Sequence, residues 1–202
     1  MKPSFQIKTL ILLAGSPAIG LVALAPAAQA QVGIDFTRAD VDFMQGMIQH
    51  HAQAITMSTM AATHGASEKV LLLCKKIIIS QRDEIGFMQG WLKDRNQAAP
   101  DPKDPHFGEM PGMPGMKMSM PGMLSDEQLK VLDAAKGTDF DRLFLTGMIQ
   151  HHKGALTMVD NLTAAPGGGQ QPDIFRFVTD VQADQTAEIG RMQQMLNTTP
   201  GS

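Results

Sequence analysis

The sequence predicts an all-α protein made of two copies of one helical hairpin, and three observations carry that prediction. Residues 37–57 lie over 138–158 at an offset of 101, without a gap and with 12 of 21 positions identical. Residues 81–92 lie over 185–196 at an offset of 104, with seven of 12 identical. Strand alternation is absent, and all four segments read as helices. Two segments repeated in the same order mark a duplication. Two such hairpins pack most simply as a pseudo-twofold four-helix bundle.

Each element has its own signals. Thr37 ahead of Asp40, and Thr138 ahead of Asp141, place a capping hydroxyl before an acid at the third helical position. The first helix stays compatible to His64 and meets Gly65, a C-capping residue. Ser67 caps the second, which runs to about Asn96. The third ends near Ala164, before P-G-G-G-Q-Q-P, and the fourth spans about Asp173 to Leu196. The join at about 97–124 is too rich in proline and glycine for regular helix. Ser125 with Gln128 then forms a capping box for a short helix that ends at Gly137.

The N-terminus reads as an export signal. Lys2 and Lys8 precede an apolar stretch broken by Gly15, Pro17 and Gly20, and Ala28-Gln29-Ala30 supplies small residues for cleavage after Ala30. The expected mature domain is therefore 31–202, one two-repeat bundle. Removing Lys2 and Lys8 from the 17 basic residues leaves 15 against 20 acidic ones, a net charge of −5. No basic patch dominates, which argues against nucleic acid, and no second apolar run argues for stable membrane insertion. Cys74 is the only cysteine, so no internal disulfide can form, and its setting L-L-L-C-K-K-I-I-I is that of a buried small hydrophobe.

Three groups of residues could carry chemistry. The first is M-I-Q-H-H, present as Met47, His50 and His51 and again as Met148, His151 and His152. Residues four apart stack on one helix face, so Met47 points with His51 and Met148 with His152. A helical wheel sets His51 on the stripe of Val41, Met44, Ile48 and Ile55, while His50 lies about 100° away with Phe43, Ala54 and Met57. Ordinary core histidines and methionines would explain one such turn. Repetition predicts instead that Met47, His51, Met148 and His152 face each other across the twofold axis. Two imidazoles with two thioethers select Cu(I) over zinc, calcium or magnesium.

The second group is the join, where Met110, Met113, Met116, Met118, Met120 and Met123 put six methionines into 14 residues. Pro111, Pro114 and Pro121 forbid a buried helix face for them, so a flexible string of thioethers for Cu(I) or Ag(I), with His106 nearby, is the stronger reading. The third is Gln81, Glu84 and Met88, repeated as Gln185, Glu188 and Met192. Glu84 and Glu188 are placed to hold a ligating imidazole by its second nitrogen, although a plain surface stripe fits about as well. Glu109 and His64 receive no role.

The run F-D-R-L-F-L-T-G-M-I-Q-H-H-K-G-A-L-T-M, with M-P-G-M-L-S before it and an E-I-x-x-M segment after, resembles the domain-of-unknown-function family numbered 305. Its described members include CopM-like copper-binding proteins of the bacterial periplasm. The resemblance spans about 37–197. It implies a ferritin-like four-helix bundle and a role in copper tolerance or handling; copper ions, and other copper-handling envelope proteins, are the expected partners. It places the family's histidine pairs on His50, His51, His151 and His152 and its preceding methionines on Met47 and Met148. Two other readings compete. A di-iron enzyme would need Glu-x-x-His pairs, and E-x-x-H occurs nowhere in the chain. A metal-free, methionine-rich partner-binding bundle would leave the duplicated Met–His turns unexplained. The expectation is an exported copper-binding protein without catalysis, for Cu(I) with Cu(II) or Ag(I) as further candidates, acting in copper sequestration, tolerance or delivery.

Overall fold

The structure, a computed structural model, describes residues 36–104, 107, 109–110, 113–117 and 120–198. The expected leader, His106 and Met118 lie outside the described residues, and of Met110, Met113 and Met116 only the backbone is described. Among the described residues five helices follow in order: α1 Arg38–Met60, α2 Glu68–Asp94, α3 Asp126–Ala134, α4 Gly137–Ala164 and α5 Pro172–Thr198. The expected hairpins are α1–α2 and α4–α5, and they meet through α1 and α4. The join carries one feature the sequence did not announce. Glu109–Met110 (β1) and Met113–Lys117 (β2) form a small antiparallel ribbon, with Glu109 opposite Lys117 and Met110 opposite Met113.

α1 begins where its capping box requires. Thr37 Oγ1 accepts the Asp40 backbone N–H while the Asp40 carboxylate accepts the Thr37 N–H. It ends at Met60, earlier than His64, and irregular turns carry the chain to Gly65 at φ 68°. Ser67 and Ser125 cap α2 and α3 as expected. Thr138 does not cap α4. That helix starts one residue earlier, at Gly137, whose N–H donates to the His64 carbonyl at 2.8 Å, and no side chain caps it.

Asp141 takes no part in a capping box and serves the other hairpin. Its two carboxylate oxygens each accept the Ser67 backbone N–H at 3.2 Å, in the turn between α1 and α2. Asp40, its counterpart, accepts the Gly169 N–H at 2.7 Å in the turn between α4 and α5. Both carboxylates are buried. These contacts put the start of each first helix beside the far turn of the other hairpin, so α1 and α4 run antiparallel about a pseudo-twofold axis. Removing a buried acceptor strands its donor at a cost of about 1–3 kcal/mol. Urea unfolding of Asp141→Ala is expected to register a loss of that size, whereas Thr138→Ala should stay within about 0.5 kcal/mol of the parent. Equal losses would mean that Thr138 caps after all.

The core divides into two apolar clusters related by the same axis. One takes Val41, Phe43, Met44, Met47 and Ile48 from α1 with Ala155, Met158, Val159 and Leu162 from α4. The other takes Ala54 and Met57 from α1, and Ala61 just past its end, with Phe140, Phe144, Leu145, Met148 and Ile149 from α4. Both draw on α2 and α5. In sequence, the gap between the clusters falls on His50–His51 of α1 and His151–His152 of α4.

Candidate metal centre

All four histidines of the duplicated turns are buried at mid-bundle, none more than 1% exposed. The contact across the axis is made by His50 and His151, whose ring centroids stand 3.7 Å apart at an interplanar angle of 38°. His51 and His152 turn away from it. His51 Nε2 meets Glu84 at 2.6 Å and His152 Nε2 meets Glu188 at 2.7 Å, each within its own hairpin. The pairing expected from the helical wheel is therefore corrected. The wheel assumed one buried face, but α1 is buried on nearly all sides from Val41 to His51, with α2 on one side and α4 on another. The His51 direction belongs to α2 and the His50 direction to α4.

Hydrogen bonding leaves these imidazoles incomplete. His50 Nε2–H donates to the Pro121 carbonyl at 3.0 Å, which in the neutral ring leaves a lone pair on Nδ1. The Nδ1 atoms of His50, His51 and His152, and both ring nitrogens of His151, have no partner. Burial drives the His50 pKa down to about 3, with the nearby His51 adding to the effect. Burial also holds His151 well below the ordinary histidine range, helped by the imidazoles around it. Both rings are therefore neutral at physiological pH, the state in which imidazole binds a metal.

Two more thioethers belong here than the spacing argument named. Met47 and Met148 are fully buried, and so are Met44, Met57, Met88 and Met192. At Gly46, one turn before His50, a Cβ would lie 3.2 Å from Met120 Sδ and 3.4 Å from Met158 Cε. At Gly147, one turn before His151, it would lie 3.3 Å from Met57 Cε and 3.0 Å from Leu124 Cδ2. Met57 and Met158 close the repeated H-H-x5-M pattern, so the duplication itself held the signal. They were passed over because methionine at helical spacing reads as core filler.

The end of the join was expected to be exposed, and it is not. Met120 packs against the first apolar cluster, Met123 is half-buried and Leu124 is buried. Gln53 grips Leu124 twice, accepting its N–H at 2.8 Å and donating to its carbonyl at 3.0 Å. Gln150 donates to the Gly122 carbonyl at 3.3 Å. Gly122 at φ 76° passes so close to α4 that a Cβ on Gly154 would sit 1.9 Å from the Pro121 carbonyl oxygen. Residues 120–124 thus form a strap held to both α1 and α4, immediately over His50.

The remaining candidates are less central. Glu84 and Glu188 hold their imidazoles and also face Asp184, whose carboxyl is raised by burial and by those two acids. Cys74 is buried, and burial pushes its thiol up to about 12, so it is a poor thiolate ligand. His64 instead secures α3, donating from Nε2 to the Asp133 carbonyl at 2.7 Å. Among the described residues, no three His, Cys, Asp or Glu side chains are grouped to hold an ion by themselves. A soft ion needs no such group if thioethers complete its shell, and the fully buried methionines are on hand.

Residues 40–196 match the family described as Domain of unknown function (DUF305), and the chain belongs to that family. A DUF305 protein from Streptomyces coelicolor has the same fold, with a TM-score of 0.65 and 28% identity over 79% of this chain and 92% of that one. CopM in its Cu(I)-bound form is similar at a TM-score of 0.59 and 27% identity, over 83% of this chain and all of that one (100%). CopM has also been solved with Cu(II) and with silver. An uncharacterized protein, L153, of Acanthamoeba polyphaga mimivirus is 35% identical over 75 residues, 37% of this chain and 47% of that protein. The match thus spans about half the length of that viral relative.

Proposed function

We propose that the chain is an exported copper-binding protein, with Cu(I) as its favoured ion, that sequesters, buffers or delivers copper and catalyses nothing. One observation carries the reading: four buried imidazoles expose five unpartnered ring nitrogens to a methionine-rich interior. Each unsatisfied buried polar group costs about 1–3 kcal/mol. Such a cost is sustained where a ligand will use the atoms, and neutral imidazole beside thioether suits Cu(I) and Ag(I). His50, His151, Met47, Met148, Met57 and Met158 form the inner donor pool. Glu84 and Glu188 fix the orientation and basicity of His51 and His152, as a carboxylate does for a metal-bound histidine. The thioethers of the join are a second donor pool. Copper and silver bound to CopM, a similar fold, support the same ion class.

Export rests on the signal-like N-terminus and on the S. coelicolor relative, described as secreted; the periplasm is the proposed compartment. Among the described residues no helix is long and apolar enough to cross a membrane. The di-iron alternative is short of oxygen donors, because among the described residues the hydrogen bonds from glutamate to these histidines come from Glu84 and Glu188.

The test is competition against a chromogenic Cu(I) chelator and, separately, against a zinc indicator. Cu(I) and Ag(I) are expected to bind at least a thousandfold tighter than Zn(II), on the order of the soft-ligand preference. Zinc binding as tight as copper binding would end the thioether argument, since zinc favours nitrogen, thiolate and carboxylate.

A further inference from the structure

The two halves of the centre are related by the axis, but the strap that crosses them is not. We infer that this asymmetry makes one half, His50 with Met120 and Met158, the primary soft-metal site, and leaves the other half without its second thioether. The inference rests on the copper reading above and says which residues hold the first ion.

The local geometry is paired almost atom for atom. A helical side chain leans toward the N-terminus, over the turn before its own Cα. His50 therefore leans over Gly46, and His151 over Gly147. Each glycine leaves a gap that neighbours fill. Over Gly46 stand Met120 Sδ, from the strap, and Met158 Cε, from α4. Over Gly147 stand Met57 Cε, from α1, and Leu124 Cδ2, from the strap. Met57 and Met158 are equivalent under the 101-residue offset, so among the side chains standing over the two glycines the change in kind is Met120 against Leu124. One half offers two thioethers and an imidazole; the other offers one thioether and an imidazole.

The strap also prepares the histidine on the Met120 side. Pro121, next to Met120, accepts His50 Nε2–H and thereby leaves the Nδ1 lone pair bare, buried and unpartnered. His151 has no such contact with the strap: the His50 backbone lies near it, but neither of its nitrogens has a formed hydrogen bond. Gln53, Gln150 and the Gly122–Gly154 contact hold the strap in register, so Met120 is presented by a fixed segment. Two thioethers with one nitrogen is a donor set for Cu(I) or Ag(I), which accept low coordination and soft sulfur.

The test is an Ag(I) titration of the full chain carrying ¹³C-methyl methionine, followed by NMR. In the native protein, Met120 and Met158 methyl signals should shift together with the first equivalent bound in the bundle, while Met57 stays in place. Met120→Leu copies the residue at the matching position, so the fold should tolerate it. It should abolish the Met158 shift at that equivalent and weaken binding by on the order of tenfold or more. Leu124→Met should add a second equivalent that moves Met57. Equal movement of Met57 and Met158 in the native chain would overturn the inference, as would an unchanged Met158 response in Met120→Leu. If no buried methionine moves in any variant, the copper reading of the bundle falls with it.

Discussion

Replacing His50 and His151 together with leucine is expected to abolish tight Cu(I) binding by the bundle while making the metal-free protein no less stable. Leucine is close to imidazole in volume, so little cavity opens. The exchange removes three buried nitrogens that lack partners, against the loss of one bond, His50 to Pro121. His151→Leu alone is the clearer case, because neither of its nitrogens has a partner. It should stabilise the metal-free protein by about 1–2 kcal/mol, the desolvation cost it relieves. The double variant should lose on the order of a hundredfold in Cu(I) affinity, measured with Met110, Met113, Met116 and Met118 changed to leucine in both proteins. A sharp fall in melting temperature with copper affinity intact would return these residues to ordinary packing.

Acid should destabilise the metal-free protein early. Histidine takes up a proton near pH 6.5 in the unfolded chain, whereas folded His50 resists until about pH 3. His151 resists in the same direction. The unfolded state therefore binds more protons throughout that window, and stability falls as pH falls. Both histidines act in the same direction below their unfolded pKa, so their effects on the slope reinforce each other. Urea unfolding should show lower stability at about pH 5 than at about pH 7, with a smaller difference in His151→Leu. A flat profile, or an unaltered slope in that variant, would show that the two rings protonate without resistance.

The fold was legible because duplication doubles each signal. Thr37, Ser67 and Ser125 cap as their spacing says. Thr138 does not cap although Asp141 reaches the far turn just as Asp40 does, because α4 already begins at Gly137, at φ 58°, and takes Thr138 into the helix. At the centre, the residue types were readable and the pairing was not. A helical wheel orders directions around one helix but does not say which neighbour lies in each. His51 and Glu84 sit 33 residues apart, and only the closing of the hairpin brings them to 2.6 Å. The join misled in another way. Proline and glycine at 121–122 look like slack, yet it is the missing Cβ atoms of Gly122 and Gly154 that allow the strap to lie flat on α4.

The exchange of acids between hairpins has a consequence for how such a chain could arise. Asp40 finds its distant donor only in the 165–171 turn, and Asp141 finds its donor only in the 61–67 turn. A solitary hairpin would leave its carboxylate without that mate. Two identical hairpins would complete each other by simple symmetry, as protomers of a homodimer do. Covalent fusion keeps that reciprocity and adds what symmetry forbids, a single tether that must treat the two halves unequally.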